Sequence, residues 1–348
     1  MASFDSYVQS LTLHKIVPKV VEGAVNGNVL LMRLIGNGKE WGGESMKRPV
    51  MYQVNSSGNS YSGMDTFSTA QVNTRVSLSY DVRQNYQSVV LSNIDLAVNK
   101  TQEGVIDLLK NEMEVAGVSI TDRIGTQLYA DGTGNSNKDF LGLKQLVDDG
   151  TVSSTIGGLT RTTYATPLTS TVTSSVGAIN RSRMATAFDA ASHGNDEPSL
   201  IVTDKTTWSY LEALYTPQLR NEYAYVTKSQ GDVTKSKDGL KGEVGFRAIM
   251  FRGTPIVKDE KCTTGYIYFL TEKYLEWRGL KHPQHSPIAL TSSTLESGSY
   301  NDASVPGFAW TGLKEPVNQD AEIGQIIMYG NFVCWSPRHQ SVLQGVTS

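Results

Sequence analysis

Apolar residues along this 348-residue chain follow two periods, and the period changes several times. The longest regular stretch is "NKTQEGVIDLLKNEMEVAGVSITDRIGTQLYADGTG". Val105, Leu109, Met113, Ala116, Ile120, Ile124 and Leu128 recur there at steps of three and four, which places them on one face of a helix. Asn99, with Gln102 three residues on, has the form of a capping box, and Asp131-Gly132 supplies a stop. Gly104, Gly117 and Gly125 lower its intrinsic helicity, so packing against other elements has to hold this helix. One long helix among strands suggests a spine on which a sheet is laid.

The other period is two. Val50, Tyr52 and Val54 alternate in "MKRPVMYQV", and Val72, Val76, Leu78 and Tyr80 alternate in "VNTRVSLSY". The segment between them, 55–71, is too long for a tight hairpin turn. It is rich in Ser, Gly and Asn, yet it carries Tyr61, Met64 and Phe67. A loop that meets only solvent has little reason to present these three. The pattern predicts a long two-stranded arm whose tip touches another chain; the competing reading is a surface loop without a partner.

Shorter signals fill the rest. Val20, Ala24, Val25, Leu31 and Leu34 predict a short helix after Pro18, stopped by Gly36 and Gly38. A second helix is expected over 175–192, carrying Val176, Ile179, Ala187, Phe188 and Ala191. "EPSLIVTDKTTWSYLEALY" predicts a strand, a cap at Thr203 or Asp204, and a helix holding Trp208, Leu211 and Leu214. Residues 227–245 have the composition of an exposed loop, and 291–320 that of a Ser/Gly/Pro-rich excursion. "FRGTPIVKDEKCTTGYIYFLTEKYLEW" predicts strand, turn, strand. The closing "EIGQIIMYGNFVCWSPRHQSVLQGV" is β-rich, with Pro337 at an edge or bend. No repeat and no clean linker between independent domains is visible. The elements interleave in an α+β mixture.

Composition narrows the function. Charged residues are 19% of the chain, below the usual quarter, which suits β-rich proteins and protein–protein contacts. A net charge of −3 gives no basic excess for gripping nucleic acid. No apolar run of about 18 residues predicts a membrane span. The start, "MASFDSYVQSLTLHK", lacks the layout of a signal peptide, so Cys262 and Cys334 are expected to be reduced and the chain cytoplasmic in origin.

Candidate chemistry fails point by point. His282 and His285 flank a proline in "KHPQHS", which prevents helical metal-ligand spacing, and no Cys or carboxylate cluster sits beside them in sequence. In "GNGKEWGG", Arg33 and Glu40 stand where a phosphate loop needs Gly and Ser or Thr. Asp259 and Glu260 are adjacent, so in a strand they face opposite ways and cannot flank one substrate. Cys262 has no evident His partner. "VKDEKCTTGY" is therefore expected to be a polar turn, with Lys258 and Lys261 as solvated charge. Trp41, Trp208, Trp277, Trp310 and Trp335 are expected as core or interface anchors. No catalytic, cofactor-binding or metal-binding residue is expected, and the chain is not expected to be an enzyme.

Taken in order, these segments resemble a major capsid protein of a tailed bacteriophage, of the HK97-like fold. "KRPVMYQV" with the Ser-rich hairpin looks like that fold's extended loop. "TQEGVIDLLKNEMEVAGVSITDRIGTQLYADG" looks like its spine helix. "LGLKQLVDDGT", "SLIVTDKTTWSYLEAL" and "FRGTPIVKDEKCTTGYIYFL" resemble its axial domain, and "YGNFVCWSPRHQSVLQGV" its closing peripheral strand and tail. The resemblance covers most of the chain, and the order of segments carries it. It implies an N-terminal arm over 1–45, an extended loop over 46–82, a peripheral domain over 83–140 and 276–348, and an axial domain over 141–275.

The function it implies is a shell subunit. Copies would form hexamers and pentamers in an icosahedral head, assembled in the bacterial cytoplasm and enclosing double-stranded DNA without sequence-specific binding. Portal and decoration proteins would be further partners. Met1 begins close to the expected arm, with no long charged helical region before it, so a separate scaffolding protein is expected. Lys15, Lys19 and Glu22 are the candidates to meet it, and Tyr61, Met64 and Phe67 the candidates to meet neighbouring copies. No motif fixes a Lys–Asn cross-link. The rivals are an encapsulin-like compartment shell of the same fold and, from a different class, a β-rich carbohydrate-binding or carbohydrate-acting protein.

Overall fold

Two six-stranded sheets share a hydrophobic core, and the chain crosses between them repeatedly. The computed structural model describes residues 28–94, 102–215, 249–280, 286–289 and 304–348. Lys15, Lys19, Val20, Glu22, Ala24, Val25, Asn99, His282, His285 and the segment 227–245 lie outside them, as do the side chains of Val105 and Leu109. The described chain runs α1 (Val29–Gly36), β1 (Lys39–Trp41), β2 (Ser45–Met51), β3 (Arg75–Asp81), β4 (Arg83–Ser92), α2 (Gln102–Leu128) and β5 (Thr171–Thr173). It continues through α3 (Arg181–Ala191), β6 (Leu200–Thr203), α4 (Lys205–Tyr215), β7 (Ile249–Phe251), β8 (Thr254–Lys258) and β9 (Tyr266–Leu270). It closes with β10 (Leu275–Leu280), β11 (Ser286–Ala289), β12 (Ser304–Trp310), β13 (Ala321–Cys334) and β14 (Ser341–Gln344).

The first sheet has the order β1-β10-β13-β12-β11, with β4 also paired to β13. That last ladder is antiparallel and runs from Ala321 opposite Ser92 to Gly330 opposite Arg83. Helix α2 lies against β4 and buries Met113, Ala116, Ile120, Ile124 and Leu128, the described part of the stripe. At the centre Phe140, Trp277 and Phe332 meet ring to ring at centroid distances of 5.3, 6.1 and 5.0 Å. Such pairs contribute about 0.5–1.5 kcal/mol each beyond their area burial.

The second sheet has the order β7-β8-β6-β9-β14-β5. Its two faces are both covered, and alternation decides which side chain goes where. Leu200, Val202, Val257, Tyr268, Leu270 and Val342 point into the core shared with the first sheet. Ile201, Ile256, Ile267, Phe269 and Leu343 point the other way, onto α3 and α4. This is why "LIVT" of β6 is buried at every position.

Local signals set most boundaries. The Asn180 side chain accepts from the Arg183 N–H, so α3 starts there. Val176 and Ile179, expected inside that helix, precede it. The Asp204 carboxylate accepts from the Thr206 and Thr207 N–H groups, which makes Asp204 and not Thr203 the side-chain cap of α4. Strand β2 ends at Met51, before Tyr52 and Val54. Beyond Tyr52 the described residues place no core beneath the arm, and Val54 stands 72% exposed.

Two differences come from tertiary pairing. The excursion expected over 291–320 contains a strand, because Phe308, Ala309 and Trp310 pair with Met328, Ile327 and Ile326. Its "SVPG" looks like a turn, but Gly307 adopts φ +88 and the Trp277 indole donates to the Pro306 carbonyl at 2.8 Å. The closing β-rich run divides: Ala321–Cys334 stays in the first sheet, and Ser341–Gln344 crosses to pair with β9 and β5 in the second.

The irregular stretch between α2 and β5 is organised by one buried cation. Arg161 is 1% exposed, and its guanidinium donates to the carbonyls of Asp148 (2.7 Å), Ser153 (3.1 Å), Gln145 and Leu168. The Asp148 carboxylate in turn accepts from the Gly150, Val152 and Ser153 N–H groups. A lysine cannot reach four carbonyls from one point charge. Arg161→Lys should therefore cost roughly 3 kcal/mol, as buried acceptors lose their partner. Urea unfolding of the purified chain measures it, and an unchanged midpoint would refute the role given to Arg161.

Candidate assembly surfaces

The arm is anchored at its base and free at its end. Strands β2 and β3 pair antiparallel from Ser45 opposite Asp81 to Met51 opposite Arg75. Met46, Leu78 and Tyr80 enter the core. The Tyr80 hydroxyl donates to the Cys334 carbonyl at 2.6 Å, and its ring meets Trp335 edge-on at 5.6 Å. The Arg48 guanidinium lies 5.4 Å from the Trp335 ring centre, a cation–π distance. The Trp335 indole donates to Glu276, which also takes Lys39 and Arg278. Burial opposes the Glu276 charge, but hydrogen bonds from Lys39 and Trp335 and the charge of Arg278 outweigh it and hold the carboxyl below its ordinary value.

Farther out, the Tyr52 hydroxyl reaches the Asn73 carbonyl at 2.7 Å, and its ring meets Tyr164 at 5.1 Å. Beyond that point, over 55–71, the bonds among described residues are local. Asn55 accepts from Ser57, and the Ser62 N–H donates to Asp65 at 2.8 Å. Tyr61 and Phe67 meet edge-on at 5.0 Å, so two of the three expected contact residues form one cluster. Tyr61 is 65%, Met64 102% and Phe67 69% exposed.

A second apolar surface was not visible as such in the sequence. Val89 and Leu91 of β4 face the core, so Tyr86 and Val90 face away from it, and both are exposed. Ile323 lies opposite Val90 and Ile327 opposite Tyr86 in the β13 ladder. Ile94, just after β4, is exposed as well. The signal was the alternation Tyr86, Val90 against Val89, Leu91; among the described residues the first pair stays exposed, while Ile327 opposite Tyr86 is buried.

The turn after β8 is less simple than the sequence suggests. Glu260 is exposed and pairs with Lys205 at 3.2 Å, and Lys261 pairs with Asp122. Asp259 and Cys262, expected in the same solvated turn, are buried. Asp259 accepts from the Lys261 N–H at 3.0 Å and, across the fold, from the Leu30 N–H at 3.3 Å in the first turn of α1. Burial raises its pKa against those bonds. Burial, then the charges of Asp259 and Asp204, push the Cys262 thiol well up, which keeps it protonated and unreactive. The Asp259 carboxylate ties this turn to the first turn of α1. No group of three or more metal-ligating side chains occurs among the described residues, and no helix among them is long and apolar enough to cross a membrane.

No protein-family model matches this sequence, and no curated protein does. Solved structures do match. The capsid asymmetric unit of cyanophage A-1(L) is 15% identical and covers 92% of this chain and 93% of its own, with a TM-score of 0.63. The capsid of the empty GTA particle is 10% identical over 91% of this chain and 90% of its own, with a TM-score of 0.53. The SrpI encapsulin of Synechococcus elongatus PCC 7942 is 10% identical over 79% and 77%, with a TM-score of 0.50. These likenesses establish the architecture: the chain has the α+β, HK97-like fold of shell-forming proteins.

Asp259→Ala should cost about 1–3 kcal/mol, the range for stranding buried donors. Glu260→Ser should stay within about 0.5 kcal/mol. Denaturant midpoints of the two variants decide it, and equal, small effects would remove Asp259 from the tie.

Proposed function

We propose that this chain is the major capsid protein of a tailed bacteriophage. One observation carries the reading: the cyanophage capsid subunit matches nearly the whole chain, with both lengths covered above nine-tenths. The exposed arm tip and the bare face of β4 support it, because a shell subunit needs apolar surfaces that symmetry-related copies cover. Copies gather as hexamers and pentamers and close into an icosahedral head around double-stranded DNA in the virion. Each contact can be weak, because many are made together. The first sheet with α2 is the peripheral half and the second sheet with α3 and α4 the axial half. The chain carries out no catalysis in this role.

The encapsulin likeness keeps one alternative, a compartment shell loaded with protein. The better TM-score and coverage of the phage capsid favour a genome container. Negative-stain microscopy and nucleic-acid content of particles made with the phage's other head proteins separate the two readings. A chain that stays a dispersed monomer under those conditions contradicts both.

The tip of one copy would cover apolar surface on another, and the bare face of β4 is the surface of matching chemistry. Met64→Asp and Val90→Asp should each leave circular dichroism nearly unchanged and reduce particle yield at least about tenfold, since each buries an unpaired charge at a contact. Replacing 55–71 with a short Gly/Ser turn should do the same. Normal yields would show these surfaces to be unused.

Weak repeated contacts can also close at wrong sizes, so a separate scaffolding protein is part of the proposal, with Lys15, Lys19 and Glu22 as its contact candidates. Expressed alone, the chain should give tubes or shells of mixed size; with the scaffold, uniform shells. Uniform virion-sized shells from the chain alone would place the curvature within it.

A further inference from the structure

Two segments that carry the chain from one sheet to the other lie side by side. Residues 271–274 join β9 to β10, and 335–340 join β13 to β14. They are laced together. The Trp335 N–H donates to the Tyr274 carbonyl at 2.9 Å, and the Thr271 hydroxyl to the His339 carbonyl at 2.9 Å. The Gln340 side chain accepts from the Thr271 N–H at 2.9 Å and donates to the Thr271 carbonyl at 3.1 Å.

A cluster of ionisable rings sits on this crossing. His339 stacks on Tyr274 with centroids 4.4 Å apart, and His193 meets His339 edge-on at 5.4 Å. The Ser336 hydroxyl lies 2.8 Å from His339 Nδ1, and His193 hydrogen-bonds the Arg338 backbone. Asp196 takes the Tyr274 hydroxyl at 2.5 Å and Lys273 Nζ at 2.9 Å.

The charges around His339 come from every packed element. Its own segment brings Arg338, the facing crossing Lys273 and Tyr274, and the turn after α3 His193 and Asp196. Glu272 on that crossing is already paired with Arg33, and Glu197 on the turn is exposed. Helix α3 brings Asp189, paired with Arg252, with Arg181 and Arg183 at its other end. The turn at Ala165–Leu168 brings no charge.

We propose that His193 and His339 form an acid-operated latch: their neutral rings hold the two crossings together, and their protonation sets four cations around Asp196 and parts the crossings. Burial, then the charges of Arg338 and His193, hold the His339 pKa down to about 4, and burial with Arg338 lowers that of His193. Hydrogen bonds from Tyr274 and Lys273 hold the Asp196 carboxyl below the usual carboxylate range, so it stays charged as the rings gain protons. The sign follows from linkage. A histidine held neutral by the fold stabilises it fully above the free imidazole value of about 6.5, and that stabilisation is lost as pH falls through the folded value.

The latch belongs to the single chain; only its effect on particle form rests on the capsid reading. Hydrogen exchange of the full chain, corrected for intrinsic rates, tests it from pH 7 to pH 4. Protection of 271–274 and 335–340 should fall about tenfold or more near the lower end while β13 keeps its protection. His339→Phe keeps the stack on Tyr274 without a proton site and should hold protection through that window. Arg338→Gln removes one cation and should move the opening to lower pH. Equal pH profiles in the wild type and these two variants would overturn the latch, as would a wild type that stays protected at pH 4. Particle diameter at the same pH values reads the shell separately: opening in exchange without a change in diameter refutes only the link to particle form.

Discussion

The structure depends on the need to cover both faces of its second sheet. Strands β6, β8 and β9 are apolar on both sides, and neither side can be left in water. Helices α3 and α4 cover one face. The other is covered by the core that also serves α2 and the first sheet. The two halves are therefore one cooperative body, although each has its own hydrogen-bonded sheet. The repeated crossings follow from the same need, since the shared core is built from segments far apart in sequence.

That arrangement concentrates polar interactions where the halves meet. Trp335 sits between the arm base and β10, with Tyr80 and Arg48 on one side and Glu276 and Arg278 on the other. Asp259 ties α1 to the turn after β8, and Arg161 organises the loop that leads into the second sheet. Glu276, Asp259 and Arg161 are buried charged groups with several hydrogen bonds, which are costly to break and fix geometry more than they add net stability. The shell role proposed above calls for that fixed geometry, because each copy would repeat identical contacts. The arm tip and the outer face of β4 carry apolar groups that stay exposed among the described residues.

The sequence by itself determined the parts whose signal is local. Steps of three and four gave α2, Asp204 was one of two caps offered for α4, and the tip aromatics stood out because their neighbours are polar; the start of α3 at Asn180 lies five residues after the start the apolar pattern predicts. Tertiary structure decided the rest. Strand β12 holds a Pro-Gly that looks like a turn, and it became a strand because β13 offered it a ladder. Strand β14 crossed to the second sheet because its partners are β9 and β5. Asp259 looked solvated because its neighbours in sequence are charged, but its donor at Leu30 lies more than two hundred residues away. Periodicity and capping are properties of neighbours along the chain, and so a single sequence displays them. Pairing, burial of a polar group and the bareness of a sheet face depend on what distant segments bring, and no local pattern records that.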